Sequence, residues 1–274
     1  MPAQAERPDH PEHQSRRPQR LVFGEDAGLY DRSRPSYPAE LIDDVVSLAG
    51  TDATTLDVGC GTGKATVLLA ERGTAGVGVE ADGAMAAVAR HNLAAFPSWR
   101  VDVSDFETWA PGERGPGSFD LVCSAQAWHW LDPAVRLHKA YGLLRPGGWV
   151  ALWWNRPSGG SPEALAGEVG RIYAELAPEI AAKNSLGRRA PEPPHEEVPT
   201  GLDFGPPRLR RYLWEKEYTA GDWVSLLRTQ SDHRLLPPER LDELTRRAQE
   251  AIEASGGLYR HNYACWLWAA QKLH

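Results

Sequence analysis

Cysteine is scarce: Cys60, Cys123 and Cys265 are the three in 274 residues, and no two form a Cys-x-x-Cys pair. That excludes a disulfide scaffold and a zinc knuckle, and it fits reduced thiols in a cytoplasmic protein. Basic residues are outnumbered, 30 against 37, for a net charge of −7. A chain with that balance lacks the surplus of Lys and Arg that a general nucleic-acid surface needs. No stretch approaches the roughly 18 consecutive apolar residues of a membrane span, so no membrane partner is expected. Residues 1–20 contain neither the apolar core of a secretory signal nor periodic apolar positions, and they are expected to form a disordered tail. Phenylalanine is also sparse, five against eleven tryptophans, which puts the weight of aromatic packing on the indoles.

From Leu21 onward the pattern is periodic. AELIDDVVSLAG (39–50) sets Leu41, Ile42, Val45, Val46 and Leu48 at helical spacing and stops at Gly50. Short apolar segments predict strands at 54–59, 75–82, 99–106, 118–126 and 149–155, with helices at 64–73, 84–96 and 133–144 between them. Strands alternating with helices across short loops predict a doubly wound, parallel α/β sheet. The alternation breaks at 157–205, which holds an amphipathic helix near 162–182 and a Pro-rich loop at 188–201. An edge strand is expected at 208–219, helices near 220–230 and 237–254, and a last alternating strand at 258–271. The result is an α/β core with an insertion between its fifth and sixth strands. Trp153 and Trp154 should face opposite sides of one strand, and Trp214, Trp223, Trp266 and Trp268 fit core packing.

LDVGCGTGK (56–64) places Gly59, Gly61 and Gly63 between a strand and a helix, where a tight turn and free helical N–H groups can hold a ligand. Two phosphate loops fail on spacing. G-x-G-x-x-G needs glycine where Lys64 stands, and the P-loop needs glycine and Ser/Thr where Val58 and Ala65 stand. Asp57 ends the strand before the loop, at the edge where open α/β sheets bind ligands. A carboxylate there suits an ammonium or sulfonium and opposes a diphosphate. Glu80 ends the second strand, 23 residues on, where a carboxylate can accept from both hydroxyls of a ribose.

These segments resemble the class I S-adenosylmethionine-dependent methyltransferases. The residues that carry the resemblance are LDVGCGTGK (56–64), VGVEAD (77–82), SFDLVCSAQAWHWLD (118–132) and LLRPGGWVAL (143–152). FGEDAGLYDRSRPSYP (23–38) is similar to the N-terminal lid of the small-molecule branch that methylates trans-aconitate and ubiquinone or menaquinone precursors. The resemblance implies a mostly parallel seven-stranded Rossmann-like sheet with an antiparallel last strand and a helical insertion. It divides the chain into a tail (1–20), a lid and first helix (21–50), a cofactor-binding core (51–156), a substrate cap (157–205) and the rest of the core sheet with its helices (206–274). It further implies that Gly59, Gly61 and Gly63 pass under the cofactor's amino acid end, with Asp57 near the ammonium and Glu80 on the ribose. Ala81 and Met85 would flank the adenine, with Asp105 near its amino group (Asp102 is the rival) and Phe106 at its edge. Gln126 would lie beside the methionine portion, and Tyr30 and Arg34 would close over the sulfonium, where an aromatic face attracts a cation; plain packing is the other role open to Tyr30.

The acceptor is expected beside AQAWHWLD (125–132). His129 has the pKa range of a general base, and a capping histidine is the alternative. Trp128 and Trp130 offer flat apolar walls. Asn155 is a further pocket candidate, as are Arg228, Gln230, Ser231 and His233 in the C-terminal helical region, for which a solvated helix end is the other reading. The turn after the fourth strand lacks the Pro-Pro-aromatic pattern of nucleic-acid amino-methyltransferases, and Gln126 stands where catechol-type enzymes carry a metal-binding Asp, so no metal is expected. The expectation is therefore S-adenosylmethionine-dependent methyl transfer to a small-molecule O, N or C acceptor. Non-methyl chemistry on the same cofactor and a non-catalytic relative stay open.

Overall fold

The alternation read from the sequence folds as one seven-stranded sheet, in a computed structural model that describes residues 23–183 and 202–274. The tail (1–20) and the Pro-rich loop (188–201) lie outside the described residues. Five parallel strands come first: β1 (Thr54–Val58), β2 (Ala75–Glu80), β3 (Trp99–Val103), β4 (Phe119–Ala125) and β5 (Leu144–Ser161). β6 (Arg208–Thr219) and β7 (Leu258–Gln271) complete it in the order β3-β2-β1-β4-β5-β7-β6, with β7 antiparallel to both neighbours. The chain winds outward from β1 to β3, then returns to place β4 on the other side of β1. The loops after β1 and β4 therefore leave in opposite directions and open a crevice between them.

Burial explains why these segments are strands. In β1 and β2 the four consecutive residues Thr55–Val58 and Gly76–Val79 are buried, as expected for parallel strands covered on both faces. One face packs on α1's successor helix α2 (α1 Ala27–Ser33; α2 Ala39–Ala49), through Leu41, Ile42 and Val45, and on Leu69 of α3 (Lys64–Ala70). The face also receives Ala86 and Ala89 of α4 (Gly83–Asn92). The opposite face buries Leu56, Val58, Val122 and Trp154 against Leu143 of α5 (Arg136–Leu143). Trp153 and Trp154 are both fully buried, one in each layer.

Two elements differ from expectation. The helix foreseen at 162–182 is two, α6 (Glu163–Leu176) and α7 (Pro178–Lys183), because Pro178 has no N–H to continue the ladder. β5 is longer at both ends than 149–155, since antiparallel pairing with β7 carries its upper part to Ser161 opposite Arg260. A third apolar cluster joins Leu165, Val169 and Ile172 of α6 to Trp223 and Leu227 of α8 (Ala220–Arg228) and to Leu244 and Ile252 of α9 (Pro238–Ala254). This cap stands over the C-terminal edge of the sheet through Tyr218, Tyr259 and Tyr263. Among the described residues, no helix is long and apolar enough to cross a membrane.

Candidate active site

A cavity of about 290 Å³ opens at the crevice between the β1 and β4 ends. Its floor is the glycine loop, where Gly59, Gly61 and Gly63 sit at φ +69°, +59° and +83°. Gly59 is the most constrained of the three: a Cβ there would lie 2.4 Å from the Ala127 methyl, so any side chain forces apart the two loops that frame the crevice.

Asp57 and Glu80 stand beside this loop. Asp57 is fully buried, and its Oδ2 accepts from Thr66 Oγ1 at 2.7 Å. Its Oδ1 has no hydrogen-bond partner. Burial pushes its carboxyl up to about 6; hydrogen bonds from Thr66 and Cys123 oppose the rise, and the Glu80 charge adds to it. The Gly61 N–H donates to Glu80 Oε2 and the Asp82 N–H to Oε1, both at 2.9 Å, which fixes the carboxylate beside the loop. Burial is again the main cause raising the Glu80 carboxyl above its ordinary value. Thr62 Oγ1, in the same loop, is also buried without a partner. A buried acceptor left unpaired is costly. The donor that Asp57 lacks is what an ammonium supplies, so the residues present fit an S-adenosylmethionine amino acid end.

The roof is α1. Its Asp31 reaches Lys64 Nζ at 3.7 Å and accepts from Asn92 Nδ2 at 3.3 Å, tying it to the first turn of α3 and to α4. Arg34 donates to the Thr229 carbonyl at 2.6 Å and lies 4.9 Å from the Tyr30 ring centroid. Asn155 locks the chain behind the roof: its Nδ2 donates to the Ser36 carbonyl at 2.9 Å, and its Oδ1 accepts from Trp214 Nε1 at 3.0 Å. Gln126 turns the chain at the end of β4 with φ +58°, the one non-glycine residue with positive φ among those described. Its amide donates to the Asn155 carbonyl at 3.0 Å. Removing the Asn155 side chain unpairs a carbonyl and an indole in a largely buried place. Asn155→Ala should therefore cost about 2 kcal/mol, read as a lower melting temperature; a melt unchanged within a degree would sink this assignment.

Tyr30, Arg34, Asp57, Gly59, Gly61, Glu80, Ala81, Met85, Phe106, Gln126, His129, Trp130 and Asn155 all line the cavity, as does Ser231. Gly63 and Asp105 do not; Gly63 begins α3 and Asp105 is exposed beyond β3. The rival Asp102 is occupied, accepting from Trp109 Nε1 at 2.9 Å. Of the acceptor-side candidates, Trp128, Arg228, Gln230 and His233 do not line the cavity. Trp128 is buried in the sheet's second layer, its carbonyl accepting from Arg136 at 2.6 Å, because the 3-10 turn Trp128–Trp130 points successive side chains in different directions. Arg228 faces α9, donating to Asp242 at 2.7 Å and Thr245 at 2.9 Å. Sequence reasoning missed Thr62, Tyr37, Ser104, Arg156 and Pro157, which also line the cavity. Thr62 lies inside the glycine loop and was open to detection there; Arg156 and Pro157 carry no local signal beyond following Asn155.

Residues 56–152 match the family model described as a methyltransferase domain, and the sheet around them has the class I S-adenosylmethionine-dependent methyltransferase fold. An uncharacterized methyltransferase of Mycobacterium tuberculosis is 43% identical over 141 residues, covering 52% of this chain and 55% of that protein. A trans-aconitate 2-methyltransferase of Variovorax paradoxus is 37% identical over 103 residues, covering 36% and 38%. The chain thus spans about half, or less, of the length of these curated relatives. A solved structure from Anaeromyxobacter dehalogenans, provisionally described as a type II methyltransferase, superposes with a TM-score of 0.60 at 24% identity, over 88% of this chain and 98% of that one. That likeness extends the shared fold beyond the matched domain.

Proposed function

We propose that this protein binds S-adenosylmethionine in the cavity and directs its methyl group to a small-molecule acceptor. The observation that carries the reading is the pair of carboxylates flanking the glycine loop: buried Asp57 with Oδ1 unpartnered, and Glu80 with both oxygens held by backbone N–H groups. Asp57 accepts from the cofactor's ammonium, and Glu80 accepts from the ribose hydroxyls. Met85, Ala81 and Phe106 offer the apolar faces for the base. Arg34, at the roof, balances the cofactor carboxylate. When bound, the sulfonium supplies an electrophilic methyl carbon; the chain's task is to exclude water and align a nucleophile. Tyr30 and α1 cover the cavity, and His129 and Trp130 stand on the acceptor side, where His129 takes the acceptor's proton.

Calorimetric titration with S-adenosylmethionine and S-adenosylhomocysteine tests the first part, and mass spectrometry of the cofactor after incubation with an acceptor panel tests the second. Binding of both and release of S-adenosylhomocysteine are expected. Methylthioadenosine as the product would replace methyl transfer by chemistry at another sulfonium carbon, and no binding would overturn the reading. His129→Ala should keep S-adenosylhomocysteine affinity while lowering turnover by about 100-fold or more; undiminished turnover would make His129 a packing residue.

A further inference from the structure

Three polar side chains outside the cavity lining, Tyr173 and His233 buried and Asp232 half-buried, form a chain that the reading above does not use. Tyr173, on the cap helix α6, is 3% exposed, and its hydroxyl lies 2.7 Å from His233 Nε2. His233, 1% exposed, places Nδ1 2.7 Å from Asp232 Oδ1, which also accepts the His233 backbone N–H at 2.9 Å. The carboxylate can only accept. Nδ1 therefore carries a proton, and in the neutral imidazole Nε2 is the acceptor for the Tyr173 O–H. Both nitrogens of the buried imidazole have a partner, the condition under which such a network rigidifies its surroundings.

Its position gives it a consequence. Asp232 and His233 belong to the loop between α8 and α9, which starts at Thr229 and contributes Ser231 to the cavity wall. The Thr229 carbonyl holds Arg34 of the roof at 2.6 Å. The 229–235 part of this loop is thus pinned to the cap on one side and grips the roof on the other.

We propose that Tyr173, His233 and Asp232 are positioning residues that hold the 229–235 loop so that Thr229 retains Arg34, keeping α1 closed over the cavity. The assignment of that cavity to S-adenosylmethionine rests on the proposed function; the coupling of cap to roof does not. Tyr173 touches no reacting atom and acts through the loop.

Hydrogen exchange on the ligand-free full chain tests this directly, beside calorimetry with S-adenosylhomocysteine. Tyr173→Phe removes one hydroxyl in a position that tolerates the ring. His233→Asn keeps a donor for Asp232 and removes the hydrogen bond and ring contact with Tyr173. Each should speed exchange in 27–35 by about tenfold, as local opening requires, with 54–58 and 75–80 unchanged. Each should also weaken S-adenosylhomocysteine about fivefold, and the double variant should be no worse than either single one, as members of one network behave. Faster exchange confined to 163–176 and 229–235, with 27–35 at the wild-type rate, would overturn the proposal. If wild-type protein fails to bind S-adenosylhomocysteine, the cofactor reading falls, while the exchange at 27–35 still decides the brace.

Discussion

Glu80→Ala should abolish measurable cofactor binding, raising the dissociation constant for S-adenosylhomocysteine by about 100-fold or more, since hydrogen bonds to a charged group contribute about 1.5–3 kcal/mol each. The size follows from two losses at once. The ribose loses its acceptor, and the N–H groups of Gly61 and Asp82 lose theirs at 2.9 Å, so the glycine loop keeps only the ties of Gly59 and Cys60 to the Val79 carbonyl of β2. Glu80→Gln keeps one acceptor oxygen but turns an amide NH₂ toward a backbone N–H, and should fall between. Calorimetry on the three proteins checks the order. A Glu80→Ala constant within threefold of wild type would remove the ribose assignment.

Asp57→Asn should weaken the same ligand while making the empty protein more stable, an opposition expected of a charge kept buried for a ligand. The carboxyl sits at about 6 rather than 3.8 because burial penalises the ionised form, a shift that corresponds to about 3 kcal/mol. The sign is that of a raised acid. The penalty is fully present above about 6 and is relieved as pH falls from there through 3.8, below which folded and unfolded chains are both protonated. Asp57→Asn should therefore raise the melting temperature at pH 8 by several degrees, with the advantage shrinking toward pH 5. Ligand affinity has the converse dependence. Only the carboxylate attracts an ammonium, so wild-type affinity should be flat above about 7 and fall as pH drops through about 6, tending to tenfold per pH unit. Asp57→Asn should show a flat, weak profile. A wild-type profile level from 5 to 8 would mean that Asp57 does not meet the charge.

Much of the cavity floor was legible because its residues are close in sequence. Asp57, Gly59 and Gly61 are neighbours on one strand and its loop, and Glu80 is read at the end of the next strand from the same short apolar pattern. The partners of the side chains on the opposite wall were not, because they are chosen across the fold. Asn155 reads as an acceptor contact from its place at the strand end; in the structure its amide joins Ser36 to Trp214, residues 119 and 59 positions away. Arg228 reads as a pocket cation, and an acid on another helix takes it.

The sequence by itself determined the doubly wound sheet, the turn that opens the glycine loop and the two acids beside it, since alternating apolar runs, glycine φ preferences and strand ends are properties of short segments. Only the tertiary structure decided that β7 inserts between β5 and β6, that Trp128 turns into the core, and that a tyrosine of the cap meets a histidine 60 residues away. These depend on strand register and on which buried polar group finds a partner, and both are settled by packing between segments that carry no local mark of each other.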